Sequence, residues 1–297
     1  MDTRRILVTG ASGFLGWNLL REPWADWEWI GSSYRHDPEL GGPDVVRTDL
    51  TVPGAIATLL DDTRPDVVLH AAAVTDLNVC ERDPDGTVQI NVETPATLAA
   101  LCARQGIRFV FTSSDMVFDG RNPPYDETSQ PCPVNIYGLQ KAEAEARVLA
   151  ANPEAAICRM PLMFGAAGPW AHNFLPEWIE TLTHGRPLML FTDEYRAPVS
   201  ATVAQSGLRI AVEQQVSGIL HLGGEERLSR YDFGKLLCEV WGLDSALLQA
   251  VRRADVDGMA PRPGDTFLDN HRAKGLGYRA PSLQEQLTGL KAEGRVA

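Results

Sequence analysis

Tyr137 and Lys141, spaced Y-x-x-x-K in the segment NIYGLQKAEAE, are two side chains that could move a proton together. Residues four apart share one helix face, so the phenol and the ammonium would be neighbours. A phenol with an ordinary pKa near 10 exchanges protons poorly at neutral pH. A nearby positive charge favours the phenolate and lowers that value. Ser114, in TSSDMVFDG, precedes the tyrosine by 23 positions. Its hydroxyl could hold a substrate carbonyl oxygen as negative charge grows there. Ser113 competes for the same role. An isolated Y-x-x-x-K is ordinarily a solvated helix face, so its meaning depends on what stands upstream.

Upstream is GASGFLG at 10–16, directly after an apolar run. Gly10 permits a tight turn, Gly13 lets backbone approach a pyrophosphate, and Gly16 allows close helix–sheet packing. Backbone N–H groups and the dipole at the helix start favour an anion there. Ser12, Phe14 and Leu15 complete this candidate cofactor turn. The competing reading is a glycine turn with no ligand. A bound nicotinamide ring would add positive charge beside Tyr137, and Lys141 could bond its ribose. The pairing therefore suggests a chain that moves a proton beside a hydride.

Arg35 follows the next apolar run, in GSSYRH. An acidic residue there would accept hydrogen bonds from the adenosine ribose, but Ser33, Tyr34 and Arg35 stand before Asp37. A guanidinium suits a 2′-phosphate, so NADP is expected over NAD. An ordinary surface arginine is the alternative. Asp49 and Leu50 are expected to flank adenine, although a strand-end aspartate needs no ligand.

The elements that must position these residues alternate along the first two-thirds of the chain. Strands are expected at Arg5–Thr9, Trp27–Ser32, Val45–Thr48, Val67–Ala72, Arg108–Thr112 and Ala156–Met160. Helices are expected near Leu15–Arg21, Val92–Gln105 and Ile136–Ala150. This order predicts an α/β fold with a doubly wound parallel sheet. Such sheets bind ligands outside the carboxyl ends of their strands. The glycine turn, Arg35, Ala71, Ala72, Ala73, Thr112 and Ser114 all fall at such ends, and Pro161 follows the last of them. Beyond Pro161 the pattern loosens. Phe174–His184, Pro198–Val212 and Tyr231–Gly242 read as helices, and Gly218–Leu222 as a late strand. The expected division is 1–160 plus about 198–222 for the dinucleotide, with 161–197 plus 223–297 as a smaller interleaved lobe.

The chain has 297 residues, 44% hydrophobic, enough for a substantial core. A net charge of −12 argues against a broad nucleic-acid or anionic-membrane surface. No apolar run approaches the ~18 residues of a membrane span. The start MDTRRILVTG lacks a secretory apolar core, and the five cysteines are scattered, which fits reduced thiols and a cytoplasmic setting. His70, in HAAA, reads as a buried strand-end histidine. Asp76, Glu81, Asp83 and Asp85 read as a solvated acidic run, and no metal site is expected.

The order of glycine turn, Ser114, Tyr137 and Lys141 resembles the extended short-chain dehydrogenase/reductases. Within them, SSDMVFDG at 113–120, PYDETSQPCPVNIYGLQKAEAE at 124–145 and HAAAVTDLNVCERDPDGTVQINVETPATLA at 70–99 resemble the dTDP-4-dehydrorhamnose reductase family. Weaker matches lie at 196–205, 218–224 and 262–269. The resemblance implies a Rossmann sheet and reduction of the C4 ketone of a nucleotide-linked deoxysugar by NAD(P)H. It places catalysis on Ser114, Tyr137 and Lys141, and substrate contacts on Thr75, Ser114, Asp115, Met116, Tyr137 and Arg262. The family commonly has tyrosine where Met116 stands, and methionine cannot donate a hydrogen bond. The implied partner is a nucleotide-sugar small molecule, with a homodimer allowed. Some family members bind magnesium, but no ligand set for it is assigned here. Two other readings stay open. One is a nucleotide-sugar epimerase or dehydratase, weakened because Asp115 is followed by Met116 rather than glutamate. The other is a non-catalytic NADP-binding regulatory subunit.

Overall fold

The computed structural model describes residues 4–294. In chain order the first half runs β1 (Arg4–Thr9), α1 (Phe14–Arg21), β2 (Trp27–Ser33), β3 (Asp44–Arg47), α2 (Ala55–Thr63), β4 (Val67–His70), α3 (Leu77–Arg82), α4 (Pro84–Val88), α5 (Thr94–Gln105), β5 (Arg108–Ser114) and α6 (Ile136–Ala151). The second half runs β6 (Ala156–Met160), β7 (Met163–Phe164), α7 (Phe174–Thr183), β8 (Leu188–Phe191), β9 (Tyr195–Arg196), β10 (Val199–Ser200), α8 (Ala201–Glu213), β11 (Gly218–His221), β12 (Leu228–Ser229), α9 (Arg230–Trp241), β13 (Leu248–Val251), α10 (His271–Gly275) and α11 (Leu283–Ala292).

Seven strands form one parallel sheet in the order β11-β6-β5-β4-β1-β2-β3. Sheets of this kind are covered on both faces, which explains the nearly continuous burial along β4, β5 and β6. Alternate residues of β1 point to opposite faces. Ile6 and Val8 pack with Leu15, Leu19, Ala204 and Leu208 of α1 and α8. Leu7 packs with Leu59, Leu98 and Val148 of α2, α5 and α6. From β1 the chain moves outward to β3, then returns to β4 on the other side. The strand order therefore reverses between β1 and β4, where a crevice opens at the carboxyl ends.

A third core stands apart from the sheet. Leu175, Trp178 and Leu182 of α7, Phe233 and Leu237 of α9, and Leu283, Leu287 and Leu290 of α11 pack with Leu190 and Leu248 of the parallel β8–β13 pair. The chain enters this region at β7, leaves it for α8 and β11, and re-enters at β12.

Several elements differ from the sequence expectation. The strand expected over Val67–Ala72 stops at His70, because Ala71–Ala73 turn away at the crevice. A π-helical turn, Gln89–Glu93, precedes α5 where a plain helix was expected from Val92. Helices α2, α3, α4 and α11 were not anticipated. In the acidic run, Asp76, Asp83 and Asp85 are exposed as expected, while Asp76 also caps α3, Asp83 caps α4, and Glu81 accepts from the Ile136 N–H. No described helix is long and apolar enough to cross a membrane.

Candidate active site

The glycine turn follows β1 with Gly10 at φ +79, a conformation that favours glycine. A Cβ on Gly10 would lie 2.8 Å from the Ala72 backbone, and one on Gly16 only 2.1 Å from the Gly10 carbonyl. Gly16 thus seats the first turn of α1 on the loop, rather than helix on sheet, and does not line the crevice. Gly13 caps α1, and a Cβ there would meet only the Gly10 carbonyl, at 3.3 Å. Its other side is open. A groove of about 610 Å³ lies over this turn, lined by Gly10, Ser12, Gly13, Arg35, Asp49, Leu50 and Ala71–Ala73.

These residues fit a dinucleotide. The loop after β2 is held by Arg47, which donates to the carbonyls of Tyr34 and Arg35 at 3.0 and 3.1 Å. Arg35 is exposed at the groove, its guanidinium 5.0 Å from the Tyr34 ring centre. Among the described residues no carboxylate forms an ion pair with it. Asp49 accepts from the Thr51 hydroxyl and N–H, and these bonds hold its carboxyl below the usual range. Tyr34, His36 and Thr48 also line the groove and were missed. Their neighbourhood to Arg35 was the available signal.

A second cavity, of about 500 Å³, shares Gly13, Ala71 and Ala73 with the groove. Phe14, Leu15, Thr75, Thr112, Ser114, Asp115, Met116, Tyr137, Lys141, Pro161 and Arg262 all line it. Helix α6 delivers the tyrosine and the lysine. Asn135 caps it by accepting from the Gly138 N–H at 2.8 Å, and its amide donates to the Pro261 carbonyl at 3.0 Å. Gly138 lets the helix press against the turn at 115–117, since a Cβ would lie 2.1 Å from the Met116 carbonyl. That contact holds Tyr137 against the turn that follows Ser114, and both residues line the cavity. The glycine after the tyrosine was its sequence signal, and it was overlooked. Asn91 ties the same helix to the loop after β4, donating to Gln140 and to the Val74 carbonyl while accepting from the Val74 N–H.

The two serines both line the cavity but differ in their side-chain partners. The Ser113 hydroxyl donates to Glu145, which Arg159 also grips, all fully buried. Arg159 in turn approaches His221 Nε2 at 3.3 Å. Ser114 faces the cavity, accepting from the Met116 N–H and donating to Asp115 Oδ1, each at 3.2 Å. Lys141 donates to the Thr112 carbonyl at 2.9 Å. Burial pushes its ammonium down to about 8, and Glu145 pulls the other way. Tyr137 differs from the expected depression. Burial first, then the charge of Asp115, push its phenol well above the ordinary value. His70 lies beneath the cavity floor, bonded to the Thr9 hydroxyl at 2.6 Å, and burial holds it neutral with a pKa of about 3.

From the cavity wall at Arg262 a file of charges runs inward to buried Glu194, Arg196 and Asp115. Arg196 Nε lies 3.9 Å from Asp115, Glu194 lies 3.6 Å from Arg196, and Arg262 lies 3.9 Å from Glu194. Thr266 donates to the second oxygen of Asp115. Arg230 stacks on Phe174 and Trp178, at 4.2 and 4.6 Å from their ring centres, and among the described residues its Nη1 has no hydrogen-bond partner. Phe174 and His172 also line the cavity.

A family model described as the RmlD substrate binding domain matches residues 4–295. The chain belongs to that family. It is 34% identical over 290 residues to the probable low-salt glycan biosynthesis reductase Agl14 of Haloferax volcanii, covering 96% of each chain. It is 29% identical over 290 residues to methionine adenosyltransferase 2 subunit beta of Mus musculus, covering 95% of this chain and 85% of that one. In fold it matches the dTDP-4-dehydrorhamnose reductase of Bacillus anthracis, solved in complex with NADP, with a TM-score of 0.88. That match has 23% identity and covers 98% and 99% of the two chains. The fold and family are thus those of dTDP-4-dehydrorhamnose reductase-like, extended short-chain dehydrogenase/reductases.

Proposed function

We propose that this chain is an NADPH-dependent reductase of a 4-keto nucleotide-linked deoxysugar. One observation carries the reading. Ser114, Tyr137 and Lys141 converge on a cavity that shares three residues with the dinucleotide groove. The bound dinucleotide would supply hydride to the carbonyl carbon. Charge then grows on the carbonyl oxygen, and the protonated Tyr137 phenol is the donor placed to quench it. Ser114 orients that oxygen. Lys141 has three N–H donors, of which one serves Thr112, leaving the others for ribose hydroxyls.

The charge around the cavity supports an anionic substrate such as a nucleotide-linked sugar. Arg262 lines the cavity, and together with Arg196 and Arg230 behind it the arginines outnumber Asp115 and Glu194. Met116 would face the sugar. Arg35 would take the 2′-phosphate, which favours NADPH over NADH.

The similarity to the adenosyltransferase subunit favours a second reading, in which the chain binds nucleotide without turnover. Single-turnover oxidation of bound NADPH by a dTDP-4-keto-6-deoxysugar separates the two. Hydride transfer by the parent, lost in Tyr137→Phe, supports the reductase. No transfer, together with tight NADPH binding, supports the binding subunit.

A further inference from the structure

The segment 260–263, between β13 and α10, reaches the cavity and is held from two sides. From one side, Arg253 donates to the Arg262 carbonyl, and both Nη atoms of Arg196 donate to the Pro263 carbonyl at 3.2 Å. From the other, Asn78 of α3 accepts from the Ala260 N–H at 2.9 Å, and Asn135 at the start of α6 donates to the Pro261 carbonyl at 3.0 Å. Ala260 is buried in one cluster with Leu77, Cys80 and Tyr137. Four consecutive backbone units are thus pinned, and the long side chain they carry is Arg262, which lines the cavity. Its ion pair with Glu194 spans 3.9 Å, longer than a hydrogen bond, so its donors are not spent there.

We propose that Asn78 and Asn135 are positioning residues that act through the 260–263 segment to hold Arg262 at the cavity wall, where its guanidinium meets the anionic part of the substrate. A guanidinium binds an anion through a planar fork, so its value depends on where its backbone stands. A segment already fixed has less freedom to lose when the ligand arrives. The two asparagines supply that fixation from the sheet side, 182 and 126 positions away in sequence. Neither they nor Arg262 line the dinucleotide groove. They therefore set affinity for the sugar nucleotide and leave affinity for the dinucleotide alone. Asn78 itself lines the cavity, so its action through Arg262 must be separated from a direct contact.

This inference rests on the reading of the cavity as a nucleotide-sugar site, and its test begins without ligand. Hydrogen exchange over the 256–268 segment follows the Ala260 N–H. Exchange there should quicken about 3–10-fold in Asn78→Ala and stay near the parent in Asn78→Asp, which keeps an acceptor. Calorimetry of NADP-saturated protein with dTDP and with UDP follows. Whichever nucleotide the parent binds should bind Asn78→Ala about 3–10-fold more weakly, with NADP affinity unchanged. In an Arg262→Ala background the same substitution should add little, since Asn78 acts through that side chain. Asn135→Asp keeps the cap on the Gly138 N–H but loses the donor to Pro261, and should weaken the nucleotide likewise. It serves as the test should Asn78→Ala fail to fold. Unchanged exchange, unchanged nucleotide affinity, a full additional loss in the Arg262→Ala background, or a parent that binds neither nucleotide overturns the proposal. The expected losses in a protein that reduces no keto-sugar sustain the positioning role and sink the reductase reading. Normal reduction with affinity indifferent to Asn78 and Asn135 does the reverse.

Discussion

The dinucleotide groove and the cavity beside it share a wall but are made of different material. The groove combines backbone, from a glycine turn and a row of alanines after β4, with the side chains of Arg35, Asp49 and Leu50. The cavity is made of side chains, backed by buried charges drawn from β5, α6, β9 and the loop after β13. The backbone of the groove recognises what many ligands have in common, a pyrophosphate and two riboses. A cavity of side chains decides which molecule reacts. The first can be altered by filling space, the second by moving charge.

Four substitutions would break or sharpen that contrast. Tyr137→Phe should have the largest effect, lowering single-turnover hydride transfer by about 10²–10⁴. NADPH affinity, measured by calorimetry, should stay nearly unchanged, because the groove is untouched. Glu145→Gln leaves Arg159 buried without its charge partner and should cost about 3–5 kcal/mol in urea unfolding. By contrast, Glu143→Gln, which breaks a half-exposed pair with Arg147, should cost less than about 1 kcal/mol. Arg35→Ala should weaken NADPH binding by about 1.5–3 kcal/mol and NADH binding little, which titration with each cofactor would show. Equal losses for both would remove Arg35 from the 2′-phosphate.

The last prediction concerns acid. Burial holds His70 and His221 neutral with pKa values of about 3, below the ordinary 6.5. Between those values the unfolded chain binds protons that the folded chain does not. Stability should therefore fall as pH drops from about 6.5 toward 3, by about 1.4 kcal/mol per pH unit for each histidine. His221→Gln should flatten that slope by one proton in unfolding experiments run across the window.

The same contrast explains what the sequence made legible. The groove could be read because its parts are short and local: three glycines after a strand, and an arginine after the next. Ser114, Tyr137 and Lys141 could be read for the same reason. Gly138 escaped notice because its role depends on a carbonyl 22 positions upstream, at Met116. Arg196, Glu194 and Arg230 were silent because isolated charges in a polar sequence do not announce burial. Helix α11 was missed because its apolar stripe is weak until α9 is set against it. The phenol displacement was misjudged because a spacing rule supplies the lysine but neither the burial of the phenol nor the Asp115 charge.

The bond from Thr266 to Asp115 joins positions 151 residues apart. On a ribosome that separation becomes a delay. The glycine turn and its neighbouring strands emerge early, while Arg262 and Thr266 follow the end of β6 by roughly 100 residues. At about 5–20 residues per second, on the order of ten seconds pass between the two events. A nascent chain could therefore engage dinucleotide before it can enclose a sugar, and the cell's own cofactor pool could steady the half-made protein while the rest arrives.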